Sequence, residues 1–276
     1  MRCAWDELIR ILPIRYRGKV DKLGKEVLQE LRLRQGKPPE LVMALGNQSL
    51  DDTVTPEDIS YVVNMASKYS PWAAATASEG YITAPGGHRI GLCGETVIKN
   101  GQVSGFRNVT SVCIRVARDF PGISMDLSKL KGNVLLLGPP GSGKTTLLRD
   151  LIRQRSKNRD TVAVIDERGE LFPIGIDRGI HTDVLTGCKK SQGISMALRT
   201  LGATCIAVDE ISQKEDCVAL LEGGWCGVEL LATAHASSVQ DLKHREIYRP
   251  LWELGLFSHC VILRRDKSWR LERIDI

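Results

Sequence analysis

Residues 133 to 146 read N-V-L-L-L-G-P-P-G-S-G-K-T-T, and no other stretch restricts the fold of this chain as strongly. The apolar run Val134 to Leu137, bounded by Gly138, has the length and composition of a strand buried in a parallel sheet. Gly138, four residues, then Gly143, Lys144 and Thr145 give the spacing of a phosphate-binding loop. Glycine lets the backbone curl until successive N–H groups point inward and cradle phosphate oxygens. Leu147, Leu148, Leu151 and Ile152 recur at helical spacing, which predicts a helix from Lys144 to about Arg155. Its positive dipole end faces the same anion. Gly138, Pro139, Pro140, Gly141, Ser142, Gly143, Lys144, Thr145 and Thr146 are therefore the candidate nucleotide contacts. Lys144 is placed for the β- and γ-phosphates, and the Thr145 hydroxyl for Mg²⁺. A strand, this loop and a helix together imply a nucleoside triphosphate site.

Downstream, Ile206-Ala207-Val208-Asp209-Glu210 is an apolar strand ending in two carboxylates. Behind a phosphate loop, Asp209 suits Mg²⁺ held through its water shell, and Glu210 suits polarising an attacking water. Ala163-Val164-Ile165-Asp166-Glu167 also ends in acids. This acidic end is either the start of a solvated loop or supplies a second carboxylate facing the γ-phosphate, since open α/β sheets bind ligands at the carboxyl ends of their strands. Leu230-Leu231-Ala232-Thr233-Ala234-His235 ends a further buried strand. If that strand neighbours the one carrying Asp209, Thr233 and His235 lie beside the γ-phosphate and can sense it; otherwise His235 is structural.

From Asn133 on, strands and helices alternate, as in a parallel α/β sheet. Upstream the texture differs. Thr55-Pro56-Glu57-Asp58 starts a helix expected to run to about Tyr69, and residues 79–117 read as a β-meander with turns at Gly86-Gly87 and Asn100-Gly101. The expected organisation is a smaller α+β domain over residues 1–125 and an α/β domain over 126–276. Pro121-Gly122 and Ser124 to Lys131 read as the linker. No apolar run reaches the roughly 18 residues of a membrane span, so a cytoplasmic protein is expected. The eight cysteines are scattered without a C-x-x-C pair and read as buried free thiols rather than zinc ligands. The net charge of +5 is spread evenly along the chain, which argues against a dedicated nucleic-acid arm. The basic run Arg149, Arg153, Arg155, Lys157 and Arg159 reads as a solvated helix face.

The ordered set G-P-P-G-S-G-K-T-T-L-L-R-D, V-I-D-E-R-G-E-L, H-T-D-V-L-T-G-C, M-A-L-R-T-L, I-A-V-D-E-I-S and L-L-A-T-A-H-A resembles the stage III sporulation AA family. That family is kin to the ATPases of type II and type IV secretion and of pilus machines. Upstream, E-L-R-L-R at 30–34, G-Y-I-T and G-G-H-R-I-G-L continue the resemblance. It implies a RecA-like P-loop NTPase domain behind a smaller N-terminal domain, assembled as a homo-oligomeric, hexameric ring. The implied activity is Mg²⁺-dependent hydrolysis of ATP at subunit interfaces, energising or gating a membrane-embedded channel or secretion complex from the cytosolic side. Glu167 then belongs to an acidic box and His235 to a histidine box. Arg89 and Arg115 resemble the N-domain arginines that secretion ATPases direct at the γ-phosphate, although both also read as exposed strand residues. Secretion ATPases generally carry Gly-Glu where this chain has Asp209-Glu210. Two rival readings are a nucleic-acid-dependent ATPase and a nucleotide-gated scaffold with little turnover.

Overall fold

The helical periodicity ahead of Pro13 and Gly24 forms α1 (Trp5–Ile11) and α2 (Ile14–Leu23) in the computed structural model, which describes residues 1–67, 76–173 and 175–274. Leu8, Ile11, Tyr16 and Val20 on these helices share one core with a 6-stranded antiparallel sheet. Its strands are β1 (Leu28–Arg34), β2 (Glu40–Met43), β3 (Gly46–Ser49), β4 (Tyr81–Thr83), β5 (Arg89–Lys99) and β6 (Gln102–Arg115). They lie in the order β3-β2-β1-β6-β5-β4. Asn100 and Gly101, at φ 53° and 77°, make the tight turn between β5 and β6. Strand β3 has no sequence signature, because all of its residues are exposed and none alternates with an apolar partner.

Helix α3 (Pro56–Ser67) begins as its sequence dictates. The Thr55 N–H donates to Asp58 Oδ2 at 2.8 Å and the Asp58 N–H to Thr55 Oγ1 at 3.4 Å, a reciprocal cap. The expected end near Tyr69 lies outside the described residues. His88 is buried between β4 and β5. Its Nδ1 accepts from the Ala117 N–H at 3.1 Å, which leaves Nε2 to donate to Ala4 O at 2.9 Å.

Met1–Asp119 and Pro173–Ile176 make one compact unit; Phe120–Phe172 and Asp177–Ile276 make the other. The second is built on a 7-stranded sheet in the order β13-β12-β7-β11-β10-β8-β9. Its strands are β7 (Val134–Leu137), β8 (Val162–Asp166), β9 (Thr182–Thr186), β10 (Cys205–Val208), β11 (Glu229–Ala234), β12 (His259–Leu263) and β13 (Trp269–Arg273). All neighbouring pairs are parallel except β12 with β13. The helices are α4 (Lys144–Lys157), α5 (Lys190–Thr200), α6 (Lys214–Trp225), α7 (Val239–His244) and α8 (Arg249–Glu253). Side chains alternate along the central strands between two cores. Leu136, Val164, Ala207 and Leu231 join α4, while Leu135, Ile165, Val208 and Ala232 join α5 and α6. Burial on both faces is why these strands read as unbroken apolar runs.

Three expectations are corrected here. The basic run on α4 is not a solvated face, for Arg149, Arg153 and Arg155 are buried. Arg149 donates to the carbonyls of Glu170 and Leu171, Arg153 to Asp150, and Arg155 pairs with Glu229. Guanidinium groups tolerate such burial only with their donors matched. The supposed linker is also anchored: Gly122 N–H, Ser124 N–H and Ser124 Oγ all donate to the Asp150 carboxylate, at 2.9, 2.8 and 2.7 Å. Finally, all eight cysteines are free, but only Cys205, Cys217 and Cys260 are buried, while Cys93 and Cys226 are exposed.

Candidate functional site

The loop after β7 has the geometry its glycines predict. Gly138 sits at φ 158°, and a Cβ there would come within 2.6 Å of Ser142 Oγ and 2.8 Å of Leu263 O. Gly141 and Gly143 are left-handed, at φ 73° and 97°, and Gly143 is the N-cap of α4. The first intrahelical bond runs from Leu147 N–H to Gly143 O at 2.9 Å, so the amides ahead of it have no acceptor within the helix. Lys144 is 6% exposed and donates from Nζ to Gly138 O at 2.8 Å and Pro139 O at 3.1 Å. Burial pushes its pKa down, opposed by the charges of Asp209 and Glu210. Ser142 Oγ is buried and has no hydrogen-bond partner among the described residues. A buried donor without an acceptor is costly, and a phosphate oxygen would relieve it.

Opposite the loop, β11 lies between β7 and β10, so the carboxyl ends of the three strands stand side by side. The condition set for Thr233 and His235 is therefore met. Asp209 is held on both oxygens: Thr145 Oγ1 donates to Oδ2 at 2.8 Å and Thr233 Oγ1 to Oδ1 at 2.7 Å. The Glu210 N–H in turn donates to Thr233 Oγ1 at 2.8 Å. Glu210 has φ 53°, a backbone state that an ordinary side chain adopts rarely and mostly where the surroundings impose it. His235 lies between the loop and the acids, with Nδ1 3.2 Å from Lys144 Nζ and Nε2 3.3 Å from Glu210 Oε1. Thr145 and Asp209 carry oxygen atoms of the hard kind that Mg²⁺ prefers, Asp209 suiting contact through the metal's water shell. No cluster of three or more His, Cys, Asp or Glu able to hold a metal occurs among the described residues. Mg²⁺ ordinarily needs no such cluster, because it keeps several waters and is held by one or two carboxylates plus substrate phosphates.

Glu167 follows β8, which pairs with β10 on the side away from β11. Its carboxylate is ion-paired with Lys190, the first residue of α5, whose side chain is 9% exposed. The same Nζ is 3.9 Å from Asp216 Oδ2. Sequence reasoning missed Lys190, because a lysine at the start of a helix carries no signal of burial. Asp166, the other acid ending that strand, instead anchors the turn that follows, accepting from the amides of Glu170, Leu171 and Phe172 at 2.9, 2.9 and 3.2 Å. Burial raises the Asp166 carboxyl to about 6. Arg168, within the V-I-D-E-R-G-E-L run, has its guanidinium 3.8 Å from Glu210 Oε2.

Arg89 and Arg115 belong to the first unit and face each other directly across β5 and β6. Arg89 stacks on Tyr81, 3.9 Å from the ring centre, and Arg115 Nε lies 3.3 Å from Glu30 Oε1. Like charges placed opposite one another in a sheet are unfavourable unless something offsets them, and here Glu30 does so in part.

Residues 5–271 match the family model described as sporulation stage III, protein AA. Stage III sporulation protein AA of Bacillus subtilis (strain 168) is 34% identical over 95% of this chain and 92% of its own length. Among solved structures, the pilus retraction motor PilT with bound ADP superposes with a TM-score of 0.64 at 16% identity, covering 96% of this chain and 84% of that one. The Legionella pneumophila ATPase DotB superposes with a TM-score of 0.59 at 18% identity, covering 95% and 80%. The fold is therefore that of the RecA-like secretion ATPases.

Proposed function

This chain belongs to the sporulation stage III, protein AA, family, and from that premise we propose that it is a Mg²⁺-dependent ATPase. The observation that carries the proposal is the set of bonds joining Thr145, Asp209, Thr233 and Glu210 beneath a phosphate loop whose lysine is already desolvated. Hydrolysis of a phosphoanhydride asks for positioned groups and focused charge rather than covalent chemistry. Gly138 to Thr146 bind the triphosphate through amides and Lys144. Bound Mg²⁺ supplies charge neutralisation across the phosphates. Asp209 is fixed by two hydroxyl donors and keeps its carboxylate facing Thr145. Glu210 orients the attacking water and accepts its proton. His235, touching both Lys144 and Glu210, reports the occupancy of one to the other. Glu167 is the weaker candidate for the base, because Lys190 already neutralises it.

The kinship with pilus and secretion motors supports assembly as a homo-oligomeric, hexameric ring. It also supports action at the cytosolic face of a membrane-embedded complex. No helix among the described residues is long and apolar enough to cross a membrane, so membrane attachment through partner proteins fits this reading. Arg89 and Arg115 are proposed to act on the γ-phosphate of a neighbouring subunit. The deciding experiment measures ATP-analogue binding and phosphate release by the full chain and by Lys144→Ala. Loss of both in a folded Lys144→Ala protein is expected. Unchanged affinity would remove the phosphate-loop assignment and the ATPase with it.

A further inference from the structure

Strand β12 runs parallel to β7, pairing His259 with Val134 and Ile262 with Leu137, so its carboxyl end reaches the phosphate loop from the side opposite β11. The contact is close: Leu263 O is one of the atoms that excludes any Cβ at Gly138. Beyond Leu263 the chain turns into β13 through Arg264, Arg265, Asp266, Lys267 and Ser268. The turn is tightly bonded. Arg264 N–H donates to Ser268 O at 2.9 Å and Lys267 N–H to Arg264 O at 3.1 Å. Asp266 Oδ1 accepts from Ser268 N–H at 3.0 Å and Ser268 Oγ at 2.6 Å.

Lys267 occupies the left-handed region, at φ 70°, which residues other than glycine, asparagine and aspartate visit seldom. Its side chain crosses to the phosphate loop. Nζ donates to Gly141 O, and Cδ lies 3.8 Å from where a Cβ on Gly143 would be. Beside it, a cavity of about 290 Å³ is lined by Pro139, Ile262, Leu263, Arg264, Arg265 and Arg270, together with Ser237. The hairpin thus brings four cationic side chains to the loop's outer edge. Of these, Lys267 hydrogen-bonds the loop backbone, at Gly141 O.

We propose that Lys267 is a second lysine of the nucleotide site, reaching over the phosphate loop from the C-terminal hairpin to contact the phosphates of a bound nucleoside triphosphate. This rests on the nucleotide reading given above and adds a binding residue to it. A lysine on a flexible stem can exchange a loop carbonyl for a phosphate oxygen a few ångströms away without moving its backbone. Being exposed, the contact is screened by salt, unlike that of the buried Lys144.

The test is binding of a fluorescent, slowly hydrolysed ATP analogue with Mg²⁺ to the full chain. It compares the native protein, Lys267→Met, Lys267→Arg and Lys144→Ala at about 0.03 M and about 0.5 M salt. Lys267→Met is expected to weaken binding about three- to fivefold at low salt, with the difference shrinking at high salt, while Lys267→Arg retains affinity. Affinity of Lys267→Met equal to that of the native chain at low salt would overturn the assignment. So would an equal loss at both salt concentrations, which would mean that Lys267 only braces the loop. Normal binding by Lys144→Ala would instead overturn the nucleotide reading itself. Loss of binding in Lys144→Ala alone leaves that reading standing and removes only Lys267.

Discussion

His235 Nε2 lies 3.3 Å from Glu210 Oε1, and the opposite edge of the same ring is 3.2 Å from Lys144 Nζ. The ammonium can only donate, so Nδ1 accepts and the ring proton sits on Nε2, facing the carboxylate. One imidazole thereby bridges the proposed phosphate-binding lysine and the proposed base. For His235→Ala we expect kcat for ATP hydrolysis to fall about 10- to 100-fold, with KM changed far less, since positioning rather than binding is lost. A rise in KM at unchanged kcat would show that His235 serves binding only.

The two candidate bases differ in their partners. Glu210 meets a histidine and, at 3.8 Å, Arg168; Glu167 is tied to the largely buried Lys190. Glu210→Gln is expected to retain ATP·Mg²⁺ and to hydrolyse it about 10²- to 10⁴-fold more slowly. Glu167→Gln should be milder in single-turnover rate and should lower stability, because Lys190 keeps its burial and loses its nearest counter-charge. The reverse order of rates would exchange the two assignments.

Arg89 and Arg115 are directly opposed on β5 and β6 of the first unit, with Glu30 beside Arg115. If either arginine serves a neighbouring copy, mixing Arg115→Ala (or Arg89→Ala) with Lys144→Ala should restore part of the activity, although each variant alone is inactive. Some interfaces in a mixed ring then hold both an intact arginine and an intact Lys144. An arginine contributing in this way is typically worth about 10³- to 10⁵-fold in rate. The readout is phosphate release after subunit exchange, which light scattering verifies. Absence of recovery in exchanged rings rules against action between subunits.

Asp166 gives a pH signature. Burial is the chief cause of its rise from 3.8 to about 6; the Phe172 and Leu171 amides and Arg149 pull it down, and Asp209 pushes it up. The folded chain therefore holds this proton more tightly than the unfolded chain does. The resulting stabilisation is complete below about pH 4 and is lost as pH rises through about 6, a change of about 3 kcal/mol. Asp166→Asn has no charge to bury. Relative to the native protein, it should gain stability across that window and hold a constant difference above it. Urea denaturation at a series of pH values measures this, and a difference independent of pH would contradict it.

Much of this arrangement is legible in the sequence because local rules and burial agree there. The phosphate loop needs its glycines for φ, and the strands buried on both faces announce themselves as apolar runs. Thr55 and Asp58 cap the helix that their spacing predicts. What stayed hidden depends on long-range neighbours. Arg149 and Arg153 look like surface charges until Glu170, Leu171 and Asp150 are brought to them. Lys190 meets Glu167 and Asp216 only because β8, α5 and α6 are brought together. Strand β9 (T-D-V-L-T) escaped notice because an edge strand that is half exposed lacks a continuous apolar run.

The distribution of thiols has a practical consequence. Cys205, Cys217 and Cys260 lie in β10, α6 and β12, and burial pushes each up to about 12. Thiol reagents attack the thiolate and need access to it. Cys93 and Cys226 will be tagged at once, whereas these three can react only when the second unit opens. The rate at which mass increments appear on their peptides is therefore a stopwatch, built into the native chain, for how often that sheet comes apart.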